Sequence, residues 1–165
     1  MYSNRQVGSS GVSERGVMSK IRLTKEFRFE MAHALWNYNG LCRNIHGHSY
    51  ILAVTIIGEP NIDKSSPKYG MVMDFGDLKR IVKEEIVDRL DHTFVISSHS
   101  QHDKLKDIPQ MLARFEVVDY QPTCENLLVD FAARVKNRLP DNVKLFSLKL
   151  NETANSFAEW FAEDN

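Results

Sequence analysis

From Ile21 onward, apolar side chains fall on alternate positions. Ile21, Leu23, Phe27, Phe29 and Met31 lead to His33, and Arg22, Thr24, Glu26, Arg28 and Glu30 lie between them. Only Lys25 interrupts the apolar file, so a period of two predicts a long half-buried strand. A second strand is predicted over His46–Ile57. One of its faces carries His46, His48, Tyr50, Leu52, Val54 and Ile56; the other carries Gly47, Ser49, Ile51, Ala53, Thr55 and Ile57. That second face is apolar enough to suggest cover on both sides. Residues 58–70 hold two prolines and predict a loop.

The period then lengthens to three and four. Asp74 is a predicted N-cap, followed by a stripe of Leu78, Ile81, Val82, Ile86 and Leu90. Residues 97–112 predict an irregular excursion, and Arg114–Val118 a short strand. Pro122-Thr123 opens a second helix with Leu127, Leu128, Phe131, Val135 and Leu139 inward, and Pro140 ends it. Val143–Glu152 alternates again, and Phe157–Phe161 predicts a final strand. This order predicts an α+β domain: a four-stranded antiparallel sheet with two helices on one face. Two open sheet edges invite closure by other subunits.

Composition narrows the class. The 165 residues suit one domain over 21–165, and residues 1–20, polar and rich in Gly and Ser, predict a mobile tail or an alternative start near Met18. There are 21 basic and 22 acidic side chains, so no basic excess points to nucleic acid and no charge block to a membrane surface. Apolar runs are too short to span a bilayer, and the first 20 residues lack a signal-peptide core, which predicts a cytoplasmic protein. Cys42 and Cys124 are then expected as free thiols.

The candidate chemistry gathers at strand ends. His46-Gly47-His48 puts two imidazoles on one strand face, and His33 ends the inward file of the preceding strand. If those strands pair, three rings converge with a fourth position open, the pattern of a catalytic zinc site. A lone histidine is more often a satisfied core residue; the trio shifts the balance toward metal. Cys42 lies four residues before His46, where a nearby metal or imidazolium can activate a thiol, although most free cysteines are merely packed. Asp91-His92 can relay charge, or simply cap a helix. Glu152 ends an apolar file, so it must be exposed, paired or ligand-bound; its two oxygens suit an N–C–N edge such as a pterin presents.

Six blocks recur in order: Phe29-Glu30-Met31-Ala32-His33; Cys42-x-x-x-His46-Gly47-His48; Gly70-Met71-Val72-Met73-Asp74-Phe75; Leu90-Asp91-His92; Pro122-Thr123-Cys124-Glu125-Asn126; and Glu152-Thr153. Over residues 21–155 this resembles the 6-pyruvoyl-tetrahydropterin synthase family. The four-residue step from Cys42 to His46 is similar to the bacterial 6-carboxy-tetrahydropterin synthase branch of queuosine biosynthesis. Arg43, Asn44 and Ile45 in that step lack the glutamate of the folate-pathway variants.

The resemblance implies Zn2+ on His33, His46 and His48, and 7,8-dihydroneopterin triphosphate as substrate. It implies Cys42 as proton shuttle supported by Asp91 and His92. Glu152 would anchor the pterin, with help near Thr123, Cys124 and Glu125, although Cys124 reads as structural and Glu125 also suits a helix N-terminus. It further implies the tunnelling fold, in which three four-stranded sheets close a barrel and two rings stack into a homo-hexamer, a dimer of trimers. Residues 97–120 and the ending 157–165 depart from the family pattern.

Three other readings share these residues. A 6-pyruvoyl synthase would use the same site without breaking a carbon–carbon bond. A zinc hydrolase also needs three histidines and an open position, but no HExxH helix is present. A pterin- or metal-binding module would need neither Cys42 nor Asp91-His92.

Overall fold

The structure, a computed structural model, describes residues 19–107 and 112–165. All of the expected tail except Ser19 and Lys20, and the part of the expected excursion over 108–111, lie outside the described residues. Strands β1 (Ile21–His33) and β2 (His46–Gly58) pair antiparallel along their whole length, from Ile21 opposite Gly58 to His33 opposite His46. β5 (Val143–Asn151) joins the far side of β2, and β6 (Phe157–Phe161) joins β5, both antiparallel.

The expected count of four strands is too low. Among the described residues the sheet has six, in the order β4-β3-β1-β2-β5-β6. β3 (Thr93–Ser97) runs parallel to β1 beside Met31, Ala32 and His33, and β4 (Phe115–Val118) runs parallel to β3. The sheet is therefore mixed. Residues 93–97 are buried on both sides and show no alternation, which is how a short parallel strand hides in a sequence. Beyond β3, no described strand pairs with that side of β1 over residues 21–30.

The helices match their signals more closely. Asp74 caps α1 (Phe75–Val82) by accepting from Gly76 N at 2.6 Å. The helical path continues through a π turn (Lys83–Val87) into α2 (Asp88–Leu90), so Leu78, Ile81, Val82, Ile86 and Leu90 stay buried. Thr123 caps α3 (Cys124–Lys136), whose Leu127, Leu128, Phe131 and Val135 point inward. Both helical segments cover one sheet face, where Phe27, Phe29, Met31, Leu52, Val54, Ile56, Leu148 and Leu150 form the core with them. Full burial of each such side chain contributes about 1.5–3 kcal/mol. The other face is polar near its middle, with Thr24 bonded to Thr55 at 2.8 Å and Ser49 to Glu30 at 2.7 Å. Among the described residues, no helix is long and apolar enough to cross a membrane.

Candidate metal centre and active site

Strand register builds the centre. His33 and His46 are cross-strand partners at the shared end of β1 and β2, and His48 lies opposite Met31. Neighbours across a pleat share a face, so all three imidazoles project to the same side. The ring centroids lie 4.6 Å (His33–His46), 5.2 Å (His33–His48) and 5.0 Å (His46–His48) apart. One nitrogen from each ring lies within 4.8 Å of the others. A tetrahedral zinc site separates its nitrogens by roughly 3.3 Å, which small side-chain rotations reach.

Hydrogen bonds set the tautomers. His33 Nδ1 lies 2.6 Å from the carbonyl oxygen of Pro122, and His46 Nδ1 lies 2.8 Å from that of Asn44. A carbonyl can only accept, so both Nδ1 atoms carry the proton and both Nε2 atoms carry a lone pair. His33 Nε2 is buried and has no hydrogen-bond partner. An orphaned lone pair of that kind is costly unless a metal fills it. Burial holds the His33 and His48 pKa values below the ordinary imidazole value, keeping the rings neutral and ready to ligate. The residues fit a bound Zn2+.

Glu152 follows the last residue of β5 and reaches the same spot. Its Oε1 lies 3.6 Å from His33 Nε2 and 3.8 Å from His48 Nε2, and it accepts from Tyr50 Oη at 3.1 Å. Tyr50, 1% exposed, stacks on Phe29 and sits edge-on to His33 and His48. Its pKa is pushed far above the usual phenol value by burial and then by the Glu152 charge, so it remains a donor. The sequence reading missed Tyr50 as a site residue. The signal was present: His46, His48 and Tyr50 share one parity on β2.

The N-terminus of α3 closes the floor. Cys124, directly after the capping Thr123, donates from Sγ to Leu150 O at 3.4 Å. Its thiol is pushed up to about 11, first by burial and then by the Glu152 charge, which keeps it protonated. Glu125 is exposed in the first helical turn.

Cys42 sits half-buried in a single 3-10 turn, Leu41–Arg43, between β1 and β2. Its carbonyl accepts from Leu35 N at 2.9 Å, which ties the loop back to the end of β1. The thiol is not among the atoms that gather at the three histidines.

Asp91 and His92 do pair, with Oδ2 and Nδ1 3.0 Å apart. Asp91 Oδ1 also accepts from Glu30 N at 2.9 Å, the main reason that its pKa is lowered. His92, in the left-handed region at φ 57°, donates its backbone N–H to Glu30 O at 2.6 Å. His92 lines a cavity together with Glu30, Ser49 and Arg114. Within one chain the Asp91-His92 pair makes no described polar contact with Cys42.

A model of the 6-pyruvoyl tetrahydropterin synthase family matches residues 22–163. The chain belongs to this family. It is 36% identical over 141 residues to the 6-carboxy-5,6,7,8-tetrahydropterin synthase of Haemophilus influenzae, covering 84% of this chain and 97% of that one. It is 32% identical to the enzyme of the same name from Aquifex aeolicus, covering 87% of this chain and 99% of that protein. Among solved structures, an uncharacterized Wolinella succinogenes protein superposes with a TM-score of 0.71 at 23% identity, covering 87% of this chain and 99% of that one. Caenorhabditis elegans 6-pyruvoyl tetrahydropterin synthase follows at 0.63 and 22%, covering 88% and 97%. At those identities the structural likeness speaks for the fold alone. As a member of this family of tetrahydropterin synthases, the chain is an enzyme.

Proposed function

We propose that the chain is a zinc-dependent 6-carboxy-5,6,7,8-tetrahydropterin synthase of queuosine biosynthesis. It would convert 7,8-dihydroneopterin triphosphate and water to the carboxy-pterin, releasing triphosphate and acetaldehyde. The observation that carries a metal enzyme is the buried, unpartnered His33 Nε2 facing His46, His48 and Glu152. The four-residue step from Cys42 to His46 and the names of the curated relatives favour the carboxy branch.

The residues divide the work. Bound by His33, His46 and His48, zinc would act as a Lewis acid toward the hydroxyls of the substrate side chain. Pro122 O and Asn44 O keep His33 and His46 oriented by accepting their Nδ1 protons. Glu152 receives two N–H donors of the pterin edge, with Tyr50 holding Oε1 in place; a carboxylate has lone pairs enough for both. Cys42 takes and returns protons along the three-carbon chain. Asp91 and His92 serve that thiol from another copy, since in their own chain their described polar contacts are to each other and to the Glu30 backbone and not to Cys42. The open edge of β1 and the edge strand β6 support closure of several copies into a barrel, as a hexamer.

The product decides the branch. Incubating the zinc-loaded protein with dihydroneopterin triphosphate is expected to yield acetaldehyde and carboxy-tetrahydropterin in a one-to-one ratio. Both branches expel triphosphate, so phosphate release is silent on this point; only the carboxy route breaks a carbon–carbon bond. The family model's own name supports the 6-pyruvoyl reading as the second choice. A 6-pyruvoyl product without acetaldehyde would establish it and leave the metal centre standing.

Glu152→Gln is expected to weaken pterin binding by about 1–3 kcal/mol, because an amide offers one donor where two acceptors are needed. Calorimetry with a pterin ligand checks this. Unchanged affinity would remove Glu152 from the pterin site.

A further inference from the structure

Three histidines and a carboxylate make a complete zinc ligand set, and a zinc held by four protein ligands has no position left for a substrate. This chain places such a carboxylate beside the trio. Glu152 Oε1 lies 3.6 Å from His33 Nε2 and 3.8 Å from His48 Nε2. Neighbouring ligands of a tetrahedral zinc are roughly 3.3 Å apart, so the oxygen stands only slightly farther out than a fourth ligand would. It is not among the donors that converge. Whatever holds it there keeps the centre a three-ligand site.

The backbone beneath Glu152 is fixed. Glu152 N and Thr153 N both donate to Ser156 O, at 3.0 and 3.3 Å, and Thr153 Oγ1 accepts from Ser156 N at 3.0 Å. Side-chain torsions alone are left to carry the carboxylate toward the histidines. Tyr50 restrains them, donating from Oη to Oε1 at 3.1 Å. The phenol cannot follow a moving carboxylate. It lies mid-strand on β2 opposite Phe29, stacks on that ring with centroids 5.4 Å apart, and meets His33 and His48 edge-on at 6.3 and 5.6 Å. Phe131 of α3 backs Phe29 at 6.4 Å. A side chain locked on several sides by packing is a rigid anchor. Tyr50 is also 1% exposed, so a carboxylate that left it would strand a buried hydroxyl without a partner.

We infer that Tyr50 is a positioning residue that holds Glu152 off the metal and so keeps the fourth coordination position open. This role rests on the metal centre of the proposed function and needs no pterin. Without the Tyr50 hydroxyl, Glu152 becomes a competitor for the position that an incoming ligand must take.

Cobalt(II) in place of zinc reports its coordination through visible absorption, and azide, a small anion that binds an open metal position, is the probe. Azide is titrated into cobalt-loaded wild type, Tyr50→Phe, Glu152→Gln and the double variant. Phenylalanine keeps the ring contacts of Tyr50, so the variant is expected to fold and to load cobalt. Tyr50→Phe should weaken azide by about 10–100-fold, the range for a lost hydrogen bond to a charged group, because Glu152 then competes for the same position. The double variant should bind azide as tightly as Glu152→Gln alone, the signature of an effect that runs through Glu152. Unchanged azide affinity in Tyr50→Phe would overturn the role. So would an equal loss in both backgrounds, which is what a merely structural tyrosine would give. If wild type loaded no cobalt, the metal centre would fall and take the role of Tyr50 with it. No readout here uses a pterin, so failure of the proposed reaction and failure of this role are told apart.

Discussion

Cys42→Ala is expected to keep its metal and its pterin affinity while turnover falls by about 10²–10⁴-fold, the range for a lost general acid–base group. The loop does not depend on the thiol. Its anchor is the Cys42 carbonyl, which accepts from Leu35 N at 2.9 Å whatever the side chain. Metal ligation does not depend on it either, since the converging donors are the three imidazoles. The deletion therefore removes a proton carrier and little else. Cys124 is the internal control. Its thiol is buried, hydrogen-bonded to Leu150 O and raised to about 11, so at neutral pH it holds its proton and offers no base. Cys124→Ala should turn over near the wild-type rate, losing only a small buried group. Rate assays on both variants, with metal content and pterin affinity measured alongside, check the assignment. If Cys124→Ala were the slow variant, the roles of the two cysteines would have to be exchanged.

Legibility in the sequence followed the strength of local periodicity. β1 and β2 alternate over 13 residues each, and their predicted extents agree with the structure to within a residue. The cap Asp74 was readable because a capping side chain must immediately precede its helix, and the opening of α3 at Pro122-Thr123 was readable from the proline and the apolar stripe that follows. β3 was not readable. Its five buried residues carry no alternating signal, and its pairing with β1 depends on a crossover through the whole helical segment. The π turn at Lys83–Val87 was equally hidden, because the apolar stripe runs through it without a break.

At the site, the three histidines were legible through spacing and the antiparallel pairing of their strands. What completes them was not. The Pro122 carbonyl that fixes the His33 tautomer comes from 89 residues away, and a backbone oxygen leaves no mark in a sequence. Asp91 and His92 were legible as a pair; their association with Cys42 is an implication of the resemblance alone. Their placement beside β1 follows only from their hydrogen bonds to the Glu30 backbone.

Replacing His46 or His48 with alanine is expected to remove the metal and leave the sheet folded. Losing an outer partner of a metal ligand already costs about 10–100-fold in affinity; losing one of three direct ligands should cost more, so purified protein should carry little zinc. The fold should survive because both side chains are only partly buried at a strand end, while the strands themselves are held by full-length antiparallel pairing. His33 is the wrong residue for this test. It is 2% exposed and donates to Pro122 O, so His33→Ala would leave a buried carbonyl unsatisfied at a cost of about 1–3 kcal/mol and open a void at the α3 floor. Metal loss in that variant would be confounded with loss of structure. Elemental analysis of His46→Ala and His48→Ala, read beside their circular dichroism, separates the two effects. One zinc per subunit retained in both variants would remove them as ligands, and the orphaned Nε2 of His33 would then need another partner. Loss of zinc with an unchanged spectrum would identify the strand-end trio as a centre preformed by the sheet, consistent with strand register having already set the spacing of its donors before any ion arrives.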